Sequence, residues 1–245
     1  MQPKRCVLNH NPRVFGKGSW TAACRHLDSG HVSLEDRPVS GFHRVTLTSV
    51  GQVFIIQGED ESLTVEASDN LIPFIESQVT DGTLTLGLAH ETKARHVRPS
   101  ECKYVLTVKT LTGLCLSGMG DIHVAALDTD RLEIRLGGAG NVWVGSLDAK
   151  ELVVWLDGVG NVELAGQVAE QRVAIGGSGT YRAGALRSRA TSLRIDGSGD
   201  ATLWAERTLC VRIPGGGSVK YYGAPEVIET ITGVGKLTPL ARPRR

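Results

Sequence analysis

No run of eighteen apolar residues occurs in the 245-residue chain, so no segment reads as a transmembrane helix. An excess of charge of one sign is missing too. Lys and Arg number 27 against 26 Asp and Glu, a formal charge of +1, which removes the electrostatic reason to expect nucleic acid or an anionic membrane as a partner. Apolar residues at helical spacing are lacking throughout the repeated part of the chain. The five cysteines, Cys6, Cys24, Cys102, Cys115 and Cys210, are odd in number and scattered, which is not a disulfide framework. Cys102 and Cys115 alone are expected near each other. None of the seven histidines, His10, His26, His31, His43, His90, His96 and His123, stands at zinc-ligand spacing with a cysteine. A nucleophile elbow, a Walker A loop and a dinucleotide fingerprint are all absent. No metal and no cofactor are expected.

What the chain has is glycine, 30 residues of it, and much of the excess recurs in one signal. Gly118-Met119-Gly120-Asp121 returns as Gly138/Gly140, Gly158/Gly160, Gly177/Gly179, Gly197/Gly199, Gly215/Gly217 and Gly233/Gly235, at steps of 20, 20, 19, 20, 18 and 18 residues. A fixed period near twenty residues means a stack of one repeated supersecondary unit. In one unit Leu152, Val154 and Leu156 alternate with other residues before the glycines, and Val162 and Leu164 alternate after them. Period two is the strand signal. The glycine pairs then read as corners, where φ > 0 carries no Cβ clash. Asp121, Asn141, Asn161 and Asp200 follow the corners and tolerate the same region, while Thr180, Ser218 and Lys236 show that the polar residue is a preference only. Each unit buries its apolar face only by stacking, and parallel crossovers run right-handed in nearly all cases. The expected fold is therefore all-β: a right-handed parallel β-helix (β-solenoid) with coils of about 18–20 residues, seven coils tall, or about 35 Å at about 4.8 Å each.

Residues 1–37 read as an irregular lead-in. Asn9 to Arg13 interrupt any apolar stretch of the kind a signal peptide needs, and Thr21-Ala22-Ala23-Cys24 resembles a lipoprotein cleavage box without the apolar run before it. Residues 38–240 read as one solenoid domain, with less regular first coils over 38–110 and regular Gly-x-Gly coils over 111–238. Residues 241–245 are a tail. Within the first coils, Asp69 or Asn70 is expected to cap a short helical turn that Pro73 limits. Asp81-Gly82 between apolar positions signals a hairpin. Residues 89–100 read as a polar surface loop, and Gly217 to Tyr222 as a cap near the last coils.

Val39-Ser40-Gly41-Phe42, Val53-Phe54-Ile55-Ile56-Gln57-Gly58, Asn70-Leu71-Ile72-Pro73-Phe74-Ile75, Asp81-Gly82-Thr83-Leu84 and the serial corners together resemble the bacterial family of putative auto-transporter adhesins with a head GIN domain. The resemblance spans about residues 37–238, and the ordered series is more specific than any one motif. It implies a β-helical solenoid in the envelope or secreted, and no established activity. With no export signal visible, a cytoplasmic location stays open.

Three chemistries compete for the polar and aromatic positions. Gly137 to Asn141 and Gly197 to Asp200 are similar to calcium-binding nonapeptide turns, but those need ligands nine residues apart, so the Asn and Asp side chains are expected to bond the backbone of their own turn. Asp157 and Asp196, with Gly176 between them in the stack, are the candidate carboxylates for a polysaccharide-cleaving enzyme, which would need two carboxyls facing one cleft. Trp143 and Trp155 are expected to point outward from adjacent coils and form one aromatic ridge, enlarged by Val153, suited to a glycan, a cell-surface protein or a second copy of the chain. The reading is a non-enzymatic binding module built on Trp143 and Trp155. The alternatives are a polysaccharide lyase or hydrolase on the same fold, or a structural spacer.

Overall fold

The computed structural model describes residues 31–89 and 101–241. Five long strands make the body: β9 (Met119–Leu136), β10 (Ala139–Leu156), β11 (Val159–Ile175), β12 (Thr180–Ile195) and β13 (Asp200–Ile213). Each follows most of one coil and pairs in parallel with the next, so that Ile122, Val142 and Val162 stand in register, as do Leu136, Leu156 and Ile175. The result is a β-solenoid of about six turns. The sequence suggests seven because the corner at Gly233/Gly235 opens a turn that holds only the short β16 (Lys236–Pro239), paired with β14 (Ser218–Tyr222).

Period-two alternation drives this arrangement. Val53, Ile122, Val142, Val162, Tyr181, Ala201 and Val219 form one inward column of nearly inaccessible side chains. Burying one Val, Leu or Ile is worth about 1.5–3 kcal/mol, and only stacking achieves it here. The corners are satisfied from the coil below: Gly138 N–H donates to Leu116 O at 3.0 Å and Gly158 N–H to Leu136 O at 2.9 Å.

The N-terminal end departs from the parallel rule. β3 (Val50–Gln57) lies parallel between β9 and β7 (Cys102–Val108), but β4 (Ser62–Ser68) joins β7 antiparallel and β1 (Val32–Arg37) joins β4 antiparallel. The sheet thus begins at Val32, inside the stretch read as irregular lead-in. β1 carries Glu35, Asp36 and Arg37, with Arg37 bonded to Glu35 at 2.8 Å, and charge on an edge strand blunts further pairing. β5 (Ile75–Thr80) and β6 (Thr83–Leu88) form an antiparallel hairpin around Asp81 and Gly82, at φ 49° and 71°. That is the two-residue turn expected from Asp-Gly. β2 (Arg44–Leu47) lies between β6 and β8 (Gly113–Leu116) and continues the third side of the coil.

Other expectations change. The short 3₁₀ turn Ile72–Phe74 starts at Leu71 with no side-chain cap, so neither Asp69 nor Asn70 caps it. Gly217 to Tyr222 is no cap, because β14 is sandwiched between β13 and β16. The last side of the stack is β15 (Glu226–Ile231), paired with β13, with Ile228 and Ile231 exposed. The polar loop expected over 89–100 lies, from residue 90 on, outside the described residues.

Candidate functional site

The glycine corners are structural, and the reason is broader than a left-handed turn. Only the second glycines of the first corners, Gly120, Gly140 and Gly160, have positive φ, at 149°, 144° and 150°. Everywhere the stacked carbonyls come too close for a side chain. A β-carbon on Gly118 would lie 1.8 Å from Ser49 O, on Gly138 2.0 Å from Gly118 O, on Gly158 2.1 Å from Gly138 O and on Gly177 2.4 Å from Gly158 O. On Gly197 it would lie 2.2 Å from Gly177 O, and on Gly199 2.3 Å from Gly179 O; on Gly179 it would meet Leu156 Cδ2 at 2.2 Å. Gly51, in register with Gly120, is an unforeseen first member of the column.

The polar residues after the corners bond from coil to coil, not within their own turn. Asp121 Oδ1 accepts Asn141 N–H at 3.1 Å and Asn141 Nδ2–H at 2.9 Å, and Asn141 Oδ1 accepts Asn161 N–H at 3.2 Å and Asn161 Nδ2–H at 2.8 Å. Asp200 Oδ1 takes Ser218 N–H at 2.8 Å in the same manner. These oxygens are committed to the stack.

Trp143 and Trp155 do not form one ridge. Both stand on β10, twelve residues apart, in different register columns: Trp143 with His123 and Glu163, Trp155 with Arg135 and Ala174. Units centred on the glycine corners divide Trp143 from Trp155, whereas β10 runs unbroken between two corners and carries both. Trp155 has Arg135 over its ring at 4.2 Å, and Val153, meant to enlarge the ridge, is itself only 7% exposed between Glu133 and Arg172 in register.

Trp143 belongs to another cluster. Its ring stacks on His123 at 4.4 Å and 16°, and His123 stacks on Phe54 at 4.8 Å and 9°. The outward column Phe54, His123, Trp143, Glu163, Arg182, Thr202, Lys220 therefore starts aromatic and turns polar. Burial holds the His123 imidazole below its ordinary 6.5, against the pull of Asp121. Sequence spacing alone holds the His123 signal, twenty residues before Trp143; Phe54 sits outside the regular period and gives none.

Where aromatic gives way to polar, the surface dips into a groove of about 520 Å³. Trp143 stands at one end and Glu163, Thr180, Arg182 and Thr202 line it. The small residues Gly145, Ala165, Gly184 and Ala185 line it too. Near Gly184 the ring of Tyr222 closes in, 3.0 Å from where a β-carbon would be, and Tyr222 in turn packs on Trp204 at 5.7 Å. Glu163 and Arg182 are register neighbours, yet among the described residues neither has an ion-pair partner. Elsewhere the same one-coil relation does pair charges, as in Arg131 with Glu151 at 2.6 Å.

The other candidates lie apart from this groove. Asp157 leans over Gly176, while Asp196 is bound to Arg194 at 2.6 Å through both oxygens, which holds its carboxyl below the usual range. Cys102, Cys115 and Cys210 are free thiols, so the nearness expected of Cys102 and Cys115 yields no bridge. Burial pushes Cys102, bonded to the Tyr104 hydroxyl, up to about 11. No group of three or more His, Cys, Asp or Glu suited to a metal ion occurs among the described residues.

A family model described as putative auto-transporter adhesin, head GIN domain, matches residues 41–225. The crystal structure of a putative adhesin from Bacteroides fragilis superposes with a TM-score of 0.82 at 31% identity, over 86% of this chain and 98% of that one. A putative lipid binding protein from Parabacteroides distasonis (TM-score 0.69, 21% identity, 87% and 98% covered) and a putative adhesin from Parabacteroides merdae (0.68, 19%, 87% and 98%) share the fold. No curated protein matches the chain.

Proposed function

The chain belongs to the family of putative auto-transporter adhesins with a head GIN domain, and from that premise we propose that it is a non-enzymatic, adhesin-like module of the cell envelope that binds a glycan on the Trp143 face. The observation that carries this reading is the partly exposed Phe54–His123–Trp143 stack running directly into a groove with unpaired polar groups. A sugar ring has an apolar C–H face and a rim of hydroxyls. Trp143 offers a flat plate for the first; Glu163, Thr180, Arg182 and Thr202 offer acceptors and donors for the second. From Trp143 on β10 to Thr202 on β13 is three coil steps, about 14 Å at about 4.8 Å each, which suits a short oligosaccharide better than a single sugar.

The enzymatic alternative has less behind it. A glycosidase needs a protonated carboxyl near neutral pH, and Arg194 acts on Asp196 in the opposite sense. A thiol with its value near 11 is not a nucleophile at neutral pH. The test is a glycan array probed with the full chain and with Trp143→Ser. Wild type is expected to retain a defined set of glycans, and the variant to lose them at an unchanged melting temperature. Identical profiles would refute the site. Retention of no glycan at all would favour a spacer, and self-association lost in Trp143→Ser would favour a second copy as the occupant.

A further inference from the structure

We infer that the groove selects an acidic oligosaccharide, with a sugar carboxylate seated on Arg182; this rests on the glycan reading above. Glu163 and Arg182 face the same groove from adjacent coils. Opposite charges in that relation bond across the coils elsewhere on this surface, as Arg131 and Glu151 do. Here the two exposed side chains make no ion pair among the described residues, which leaves both heads open to a ligand. An unpaired guanidinium in the same groove as an aromatic plate is a receptor for a planar carboxylate, because its fork donates two parallel N–H bonds to one carboxyl group. Lys220 continues the column past Thr202, so two cations stand on this end against the single carboxylate of Glu163. Glu163 then accepts from a sugar hydroxyl, Trp143 takes the apolar ring face, and Arg182 takes the carboxylate. A neutral glycan would leave the guanidinium without a charged partner. An oligouronate satisfies all three across neighbouring units, since each unit carries an apolar ring face, hydroxyls and a carboxylate.

Calorimetric titration of the full chain with oligogalacturonate and with its fully methyl-esterified form tests this. The free acid is expected to bind at least tenfold more tightly at low salt, and the preference to shrink as salt rises. Arg182→Gln is expected to erase the preference, weakening the free acid at least tenfold more than the methyl ester, and Arg182→Lys to restore part of it. Trp143→Ser is expected to lose both ligands. Equal affinity of wild type for the two forms, or a preference that survives Arg182→Gln, would overturn the inference and leave the glycan reading standing. Binding of neither form by wild type, together with an empty glycan array, would overturn both.

Discussion

At Gly140 a β-carbon would lie 1.7 Å from the carbonyl oxygen of Gly120, on a residue whose φ is already 144°. Strain at such a φ and overpacking each cost about 1–3 kcal/mol, so Gly140→Ala is expected to destabilise the fold by about 3 kcal/mol or more. Gly137, two residues from the same corner's centre, has nothing within 4 Å of its would-be β-carbon, and Gly137→Ala is expected to stay within about 0.5 kcal/mol of wild type. Chemical denaturation of the pair checks this; equal midpoints would contradict it. The glycine positions were legible in the sequence because the repeat prints them. Their cause was legible only in part, since the approach of the carbonyl below is a property of the stack and not of the turn. His123 gives a second residue-scale expectation. Its folded value lies below 6.5, so as pH falls the unfolded chain takes up the proton first. The contribution is complete above about 6.5 and is lost on acidification through the folded value. An NMR titration that places His123 above 6.5 would show that Asp121 and the two ring faces outweigh burial.

Among elements, β11 and β12 carry a cluster of polar side chains inside the described core. Gln171, 1% exposed, donates to Ser188 Oγ at 2.9 Å and Thr191 Oγ1 at 3.0 Å, and accepts from the Tyr181 hydroxyl at 2.7 Å. Ser188 and Thr191 contact each other at 2.6 Å. Ser188 and Thr191 keep each other, and Ser188 the Trp204 carbonyl, when Gln171 is removed, but the buried Tyr181 hydroxyl loses its acceptor in an apolar column. Gln171→Leu is expected to cost about 1–3 kcal/mol despite its greater hydrophobicity. A thermal melt at or above that of wild type would contradict it. Parity along the strand places Gln171 inward with Val173 and Ile175, so its position was readable. Its partners were not, because they come from the next coil, at distances along the chain that the shortened 19-residue step obscures. The same limit explains the aromatic stack. His123 and Trp143 differ by one period, whereas Phe54 reaches them across β4, β5, β6, β7 and β8, whose lengths follow no period. The Asp81-Gly82 hairpin, by contrast, depends on two adjacent residues and was readable at once.

For the molecule as a whole, the repeat determines a stack, and the stack converts sequence spacing into rows of side chains about 4.8 Å apart. That is why a sequence with few aromatics can assemble Phe54, His123 and Trp143 into one surface, and set Glu163, Arg182 and Thr202 beside it. It is also why Trp143 and Trp155, near in sequence, serve different faces. The central claim is that the Trp143 face, and not the Trp155 face, is where ligand binds. The indole N–H resonances of the full chain, assigned by single substitutions and followed by NMR during titration with oligogalacturonate, test it most directly. The account predicts that the Trp143 resonance moves saturably with added ligand while Trp155, under Arg135, stays in place. Movement of Trp155 with Trp143 unchanged, or movement of neither, would contradict it.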